Sequence, residues 1–295
     1  MTSPTHQEPN SGTYPLPPAA LAAKFAQADA LQRQINAKKN QDADLWKIVV
    51  KRLRIDWTYN SNGIEGSTLT QGETHFFLSE GLTVEGKPLK DFLDAQNHAE
   101  AIDMLFDVVA DKLPITESFI KQVNALILRG VEFTPAKAAD GKLSKKPAAP
   151  GQYKKLSNHV LQADGALHTY VEPIHVASEM QALIEWINAH MQTMHPVHVA
   201  AVAHYNMVRI HPFDDGNGRG ARILMNLILM HRGYFPAVIR VETKRRYLEA
   251  LTAADQDRLS PFIGYVSDAV ISTQTSVLQV LDKSKARVDN VNPKK

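Results

Sequence analysis

The sequence predicts an all-α fold with one small β-hairpin, on three observations. Segment after segment places apolar residues three or four positions apart, the spacing of one face of a helix. Helix start and stop residues punctuate those segments: Thr70 with Glu73, His195 with Pro196, Gly66, and Gly233 with Pro236. Against this stands a single strand-like pair, GQYKKLSNHVL and ALHTYVEP, flanking Asp164-Gly165.

Taken in order, residues 1–16 are polar and rich in Pro, Ser and Gly, and are expected to be disordered. Helices follow at about 17–38 and 42–61; the second ends in Asn-Ser-Asn-Gly-Ile-Glu, with Gly66 suited to a left-handed C′ position. Thr70-Gln71-Gly72-Glu73 is a capping box opening the next helix. A turn and an amphipathic helix fill LTVEGKPLKDFLDAQNHAEAIDMLFDVV, and 116–129 form another helix. Residues 134–151 read as an exposed loop, and the hairpin occupies about 152–172. The segments HPVHVAAVAHYNMVRI and GRGARILMNLILMHRGYFP are both helical. In the latter, Ile223, Leu224, Leu227 and Ile228 share a face. In KRRYLEALTAADQDRLSPFIGYV, Leu248 is assigned to the core and Asp255 to a helix cap. The last segment is helical and then a basic tail. This divides the chain into 1–16, a helical N-terminal region 17–110, a core 111–268 and a C-terminal helix and tail 269–295.

Composition narrows the partners. With 33 basic against 31 acidic residues the net charge is +2, which offers no electrostatic reason to bind nucleic acid or a membrane surface. There is no cysteine, hence no disulfide framework and no thiolate chemistry, which fits a cytoplasmic protein. No apolar run of membrane length and no signal peptide is expected.

The chemistry concentrates in His211-Pro212-Phe213-Asp214-Asp215-Gly216-Asn217-Gly218-Arg219-Gly220-Ala221-Arg222. Gly216, Asn217 and Gly218 tolerate positive φ, so successive N–H groups can converge on one anion. They open a helix, whose N-terminus favours phosphate. Arg219 and Arg222, three apart, leave the first turn on one side with guanidinium forks suited to phosphate oxygens. Asp215 beside a polyphosphate needs an intervening cation, and Mg²⁺ fits. His211 has the pKa of a general base near neutrality, and Phe213 is expected to anchor the loop. Singly, a histidine before a proline is structural and a DDGNG run is a solvated turn. Their fixed order at a helix start is what points to phosphate handling. A metal hydrolase built on His195, His198, His204 and His211 is the minor alternative, short of a second acidic or histidine cluster to accompany them.

The stretch resembles the Fic family motif, His-x-Phe-x-(Asp/Glu)-Gly-Asn-Gly-Arg-x-x-Arg, at every fixed position, and the wider resemblance covers roughly 42–268. It implies an all-helical Fic domain that moves AMP from ATP to a Ser, Thr or Tyr hydroxyl of a target protein. By position, His211 is then the base, Asp215 holds Mg²⁺, and Gly216, Asn217, Gly218 and Arg219 hold phosphates, with Arg222 at the γ-phosphate. Doc-type kinases carry lysine at the position of Gly218, which favours AMP transfer here. The hairpin resembles the family's flap, which docks the target by strand pairing. Tyr247 and Asn226 are candidates for nucleotide contact, and Asn226 could equally bind backbone.

Ser61 through Gly66 matches the inhibitory (Ser/Thr)-x-x-x-Glu-(Gly/Asn) motif of the same family; without the downstream motif Glu65 would read as a solvated helix end. A carboxylate reaching Arg222 would take the fork that a γ-phosphate needs. The resemblance leaves two other uses open: removal of AMP from a modified target, with Glu65 orienting water, and a non-catalytic, nucleotide-responsive peptide-binding module. A homodimer pinning the inhibitory helix is compatible with the residues but not demanded by them. The remaining C-terminal residues are too few for the winged-helix DNA-binding domain that some relatives carry.

Overall fold

Apolar spacing becomes helix along most of the chain in the structure, a computed structural model that describes residues 13–137, 143–161 and 167–291. After a short 3₁₀ turn come α1 (Ala22–Lys38), α2 (Ala43–Ile64), α3 (Gln71–Glu80), α4 (Leu89–Ala110) and α5 (Glu117–Ile127). Two hairpins follow: β1 (Phe133–Lys137) with β2 (Leu143–Pro147), then β3 (His159–Leu161) with β4 (Leu167–Thr169). The chain continues through α6 (Pro173–His190), α7 (Pro196–Ile210), α8 (Asn217–His231), α9 (Lys244–Ala254) and the long α10 (Ser260–Val291). The fold is all-α with hairpin appendages.

The antiparallel pair α7 and α8 forms the centre. Every residue from Pro196 to Met207 and from Arg219 to Met230 is buried, so these helices are covered all round rather than striped, with a few polar side chains such as Arg219, Arg222 and Asn226 enclosed among the apolar ones. Around them, α6 and α10 pack on α7, while α2, α4 and α5 pack on α8; α1 lies along α10. One apolar cluster runs from Phe25 on α1 to Leu281 on α10, joining the N-terminal helices to the core without a break. No helix among the described residues is long and apolar enough to cross a membrane.

Local signals are found where side chain and backbone meet. Thr70 and Glu73 form the reciprocal capping box of α3. Gly66 takes φ 99° just after α2, and Gly233 φ 74° just after α8. His195 accepts from the Val197 N–H at the start of α7. The second helix runs three residues further than the pattern suggests, so that Glu65 is its C-cap.

Three expectations need correction. The 134–151 loop contains the β1–β2 hairpin, paired from Phe133↔Pro147 to Lys137↔Leu143. Its strands FTPAK and LSKKP lack alternation and carry proline, which hid them. The segment 1–16 is ordered at its end: the carbonyls of Thr13 and Pro15 accept from Asn206 and His198, and Tyr14 lies against Trp186. Leu248 is not core but 46% exposed. Asp255 does cap a helix, at the C-terminal end of α9, and lies 3.8 Å from the imidazole of His168 on β4. The Asp164-Gly165 turn signal lies outside the described residues, though β3 and β4 pair on either side of it.

Candidate active site

The loop between α7 and α8 is held by its own asparagine. The Asn217 carboxamide accepts from the Phe213 N–H (2.9 Å) and donates to the Phe213 carbonyl (2.8 Å). This five-residue clasp seats Phe213 in the core. The side chain of Asn217 is thereby committed to backbone, which leaves its N–H, not its amide, for an anion. Asn124 on α5 braces the same loop, donating to the Asp215 carbonyl at 2.9 Å and accepting from the Gly151 N–H at 2.9 Å. Gly216 has φ 77°, and a Cβ there would sit 3.1 Å from Asn124 Nδ2, so conformation and space both require glycine.

At the start of α8 the two arginines are already engaged. Arg222, 2% exposed, donates from Nε to Ser61 Oγ (2.9 Å) and from Nη2 to the Ser61 carbonyl (2.9 Å) and Glu65 Oε1 (2.7 Å). Burial works against ionising Glu65, but Arg222, with Arg219 and Lys244, outweighs it and holds the carboxyl below its ordinary range. The carboxylate also overlies the first turn of α8: a Cβ on Gly218 would come within 2.5 Å of Glu65 Oε1. Glu65 therefore stands on the positive end of the helix, where the orphan N–H groups favour an anion. The last turn of α2 is fixed from behind, since Asn60 accepts from the Val241 N–H (2.9 Å) and Val241 packs on Gly63. Arg219 pairs with Asp94 of α4 at 2.8 Å, both side chains buried.

His211 closes α7 in the left-handed region, φ 49° and ψ 59°, with its N–H bonded to the Met207 carbonyl. A non-glycine residue there carries strain of about 1 kcal/mol or more. Burial pushes the imidazole pKa down to about 3; Lys154 adds to this, while the Val208 carbonyl and Glu65 oppose it. The imidazole is thus neutral at pH 7. Tyr170, just after β4, stacks on its ring at 3.8 Å and 19°.

The Fic/DOC family model matches residues 114–229, from α5 through most of α8. A Fic domain containing signaling protein from Bacteroides thetaiotaomicron superposes with a TM-score of 0.77 at 30% identity, over 88% of this chain and 97% of that one. The chain belongs to the Fic/DOC family. Among curated relatives, the protein adenylyltransferase Fic of Drosophila melanogaster is 31% identical over 216 residues, 73% of this chain. The Drosophila willistoni protein is 29% identical over 251 residues. This Fic chain spans 40% and 46% of the length of those relatives. Fic-1 of C. elegans (residues 134–508) shares the fold, with a TM-score of 0.77 at 24% identity.

Within the Fic fold, the motif residues His211, Asp215, Gly216, Asn217, Gly218, Arg219 and Arg222 converge with Ser61 and Glu65. One nucleotide candidate does not. Asn226 donates to the Ala237 carbonyl (2.9 Å) and accepts from the Ala237 N–H (2.8 Å); it is fully buried and clasps the segment after α8. Tyr247 is brought to the site: it is buried, its side chain hydrogen-bonds with Arg222, and its hydroxyl lies 3.1 Å from His204 Nε2. The histidines of the metal alternative are spoken for separately: His195 by Asp29, His198 by the Pro15 carbonyl, His204 by Tyr247. Among the described residues no group of three or more potential ligands converges. Sequence reasoning missed Asp94, Asn124, Lys154 and Tyr170, each brought in from an element far along the chain, with no local motif to mark it.

Proposed function

We propose that this chain is a protein adenylyltransferase held at rest by Glu65. What carries the reading is the carboxylate of Glu65 on Arg222 and over Gly218, at the helix end where phosphates would sit. ATP would place its phosphates on the first-turn N–H groups of α8. Arg222 would hold the tail once Glu65 leaves it, and Arg219, which now pairs with Asp94, would hold phosphate beside it. The target Ser, Thr or Tyr oxygen attacks the α-phosphorus in line, forming an O–P bond as the bond to the bridging oxygen breaks. His211 takes the hydroxyl proton, and pyrophosphate leaves with Arg222. Positioning and fixed charge supply most of the acceleration in such transfers.

Mg²⁺ fits the donor set, because that ion usually takes one or two carboxylates plus phosphate oxygens and water rather than an all-protein cage. Asp215 would hold it, and its charge would offset that of the phosphates. The target segment would dock along the flap, about 152–172, by strand addition. The cytoplasm is the compartment proposed, on the absence of cysteine, and subcellular fractionation tests it. A homodimer that pins the α2 end would reinforce the restraint by Glu65, and sedimentation analysis tests it.

Intact-mass analysis after incubation with ATP and Mg²⁺ tests the reading: in a Glu65→Gly background, His211→Ala should abolish addition of AMP to protein while ATP still binds. Addition at the Glu65→Gly rate in that double variant would sink it. A second use of the site is favoured by one feature: the Glu65 side chain remains 41% exposed, so water reaches it. Loss of AMP from a modified target on adding wild type, but not Glu65→Gly, would identify removal as the working direction.

A further inference from the structure

Lys154 is a buried lysine that the transfer chemistry leaves without a task. It follows the Gly151 turn and precedes the flap strands, and only 3% of it is exposed. Its backbone N–H donates to the Pro212 carbonyl at 2.8 Å, and its ammonium donates to the Ile210 carbonyl at 3.3 Å. These are the two carbonyls on either side of His211. The ammonium also sits 5.7 Å from the centre of the Tyr170 ring, and that ring is the one stacked on the imidazole. One residue thus meets the backbone after His211 through its own N–H, and the backbone before it and the aromatic face above it through its ammonium.

We propose that Lys154 and Tyr170 are positioning residues that clamp His211, the lysine fixing its strained backbone and the tyrosine fixing the plane of its ring. The need is physical. A left-handed histidine persists only where its surroundings over-determine it, and a base misplaced by an ångström loses most of its effect. As an ammonium, the side chain holds the Ile210 carbonyl by a charge-assisted bond, stronger than a neutral amine makes, whereas the bond to Pro212 runs through the backbone N–H and does not titrate. The charges facing it are Glu172 and Asp214, which favour that form, and Lys146, which opposes it; burial outweighs them and draws its pKa down to about 8. His211 in turn faces Lys154, His168, Glu65 and the Val208 carbonyl. Above about pH 8 the clamp loses its proton and loosens. The inference deepens the adenylyltransferase reading by naming what orients its base, and it is tested first without turnover.

The measurement is NMR of the His211 ring protons across pH in wild type, Lys154→Arg, Lys154→Met and Tyr170→Leu, assigned by their loss in His211→Gln. A ring held over an aromatic face shows upfield-shifted protons. Wild type and Lys154→Arg should show that shift at neutral pH, and wild type alone should lose it as pH rises through about 8. Lys154→Met and Tyr170→Leu should lack it throughout, and in Lys154→Met the His211 pKa should rise by about one unit. In a Glu65→Gly background, AMP transfer by Lys154→Met and Tyr170→Leu should fall about tenfold or more in kcat with KM for ATP unchanged, and Lys154→Arg should restore it. Equal ring shifts in wild type and folded Lys154→Met would overturn the clamp. So would faster transfer in Tyr170→Leu, which would make the ring a cover over the base. If no variant transfers AMP while the ring shifts follow this pattern, the clamp stands and the proposed activity falls.

Discussion

At the scale of single residues, asparagine is the most heavily used side chain around the site, and it works through backbone. Asn217 and Asn226 each make a two-bond clasp on one peptide, of Phe213 and of Ala237. Asn226→Ala would strand a buried N–H and carbonyl and should cost about 3 kcal/mol. ATP affinity of the folded variant should stay that of wild type; calorimetry and denaturant unfolding check both halves. Gly218 has a different part. Any side chain there would meet Glu65 Oε1, the movable end of a flexible residue, so Gly218→Ala should push the carboxylate off Arg222. Loss of the Glu65–Arg222 contact in a crystal structure of that variant is the expected result. The motif residues were legible in sequence because their chemistry is written into adjacent positions. The commitment of Asn226 to Ala237 was not, since a carboxamide gives the same signal whether it binds ligand or peptide.

Elements matter here through where they end. Helix α2 stops three residues later than its apolar pattern implies, and that extra turn carries Glu65 to Arg222. Because charge interactions hold Glu65 below the ordinary carboxylate range, the pair is present above that range and is lost only as pH falls below it. The ratio of Glu65→Gly to wild-type transfer should therefore stay level between about pH 8 and pH 5.5; a fall towards unity on mild acidification would mean that protonation releases the helix. Helix α4 contributes Asp94, whose removal would leave Arg219 charged and buried. Asp94→Ala should destabilise by about 3–5 kcal/mol, read as a lower denaturant midpoint. Helices with apolar stripes were legible in sequence. The β1–β2 hairpin was not, since its strands are held by a local ladder and by Lys146 pairing with Asp214 rather than by an alternating face.

For the whole molecule, one apolar cluster ties α2 to α7, α8 and the loop between them, and it encloses neutral histidines. Burial pushes His204 down to about 3 and His198 to about 4. The unfolded chain binds protons at these groups from about pH 6.5 downward and the folded chain does not, so stability rises with pH across that window. Each should contribute a slope approaching about 1.4 kcal/mol per pH unit; unfolding curves of wild type and His204→Gln between pH 7 and about pH 4 would isolate one of them. The fold class was legible because helical spacing is local and repeated, whereas the meeting of α2, α4, α8 and the flap at one site depends on tertiary contacts that no short pattern encodes. The measurement that tests the central claim most directly is transfer of label to protein from ATP labelled at the α- or the γ-phosphate, with wild type, Glu65→Gly and Glu65→Gly/His211→Ala. Label from the α-position alone, strong only in Glu65→Gly, is the predicted result. Equal α-label in wild type and Glu65→Gly, or label arriving from the γ-position, would contradict it.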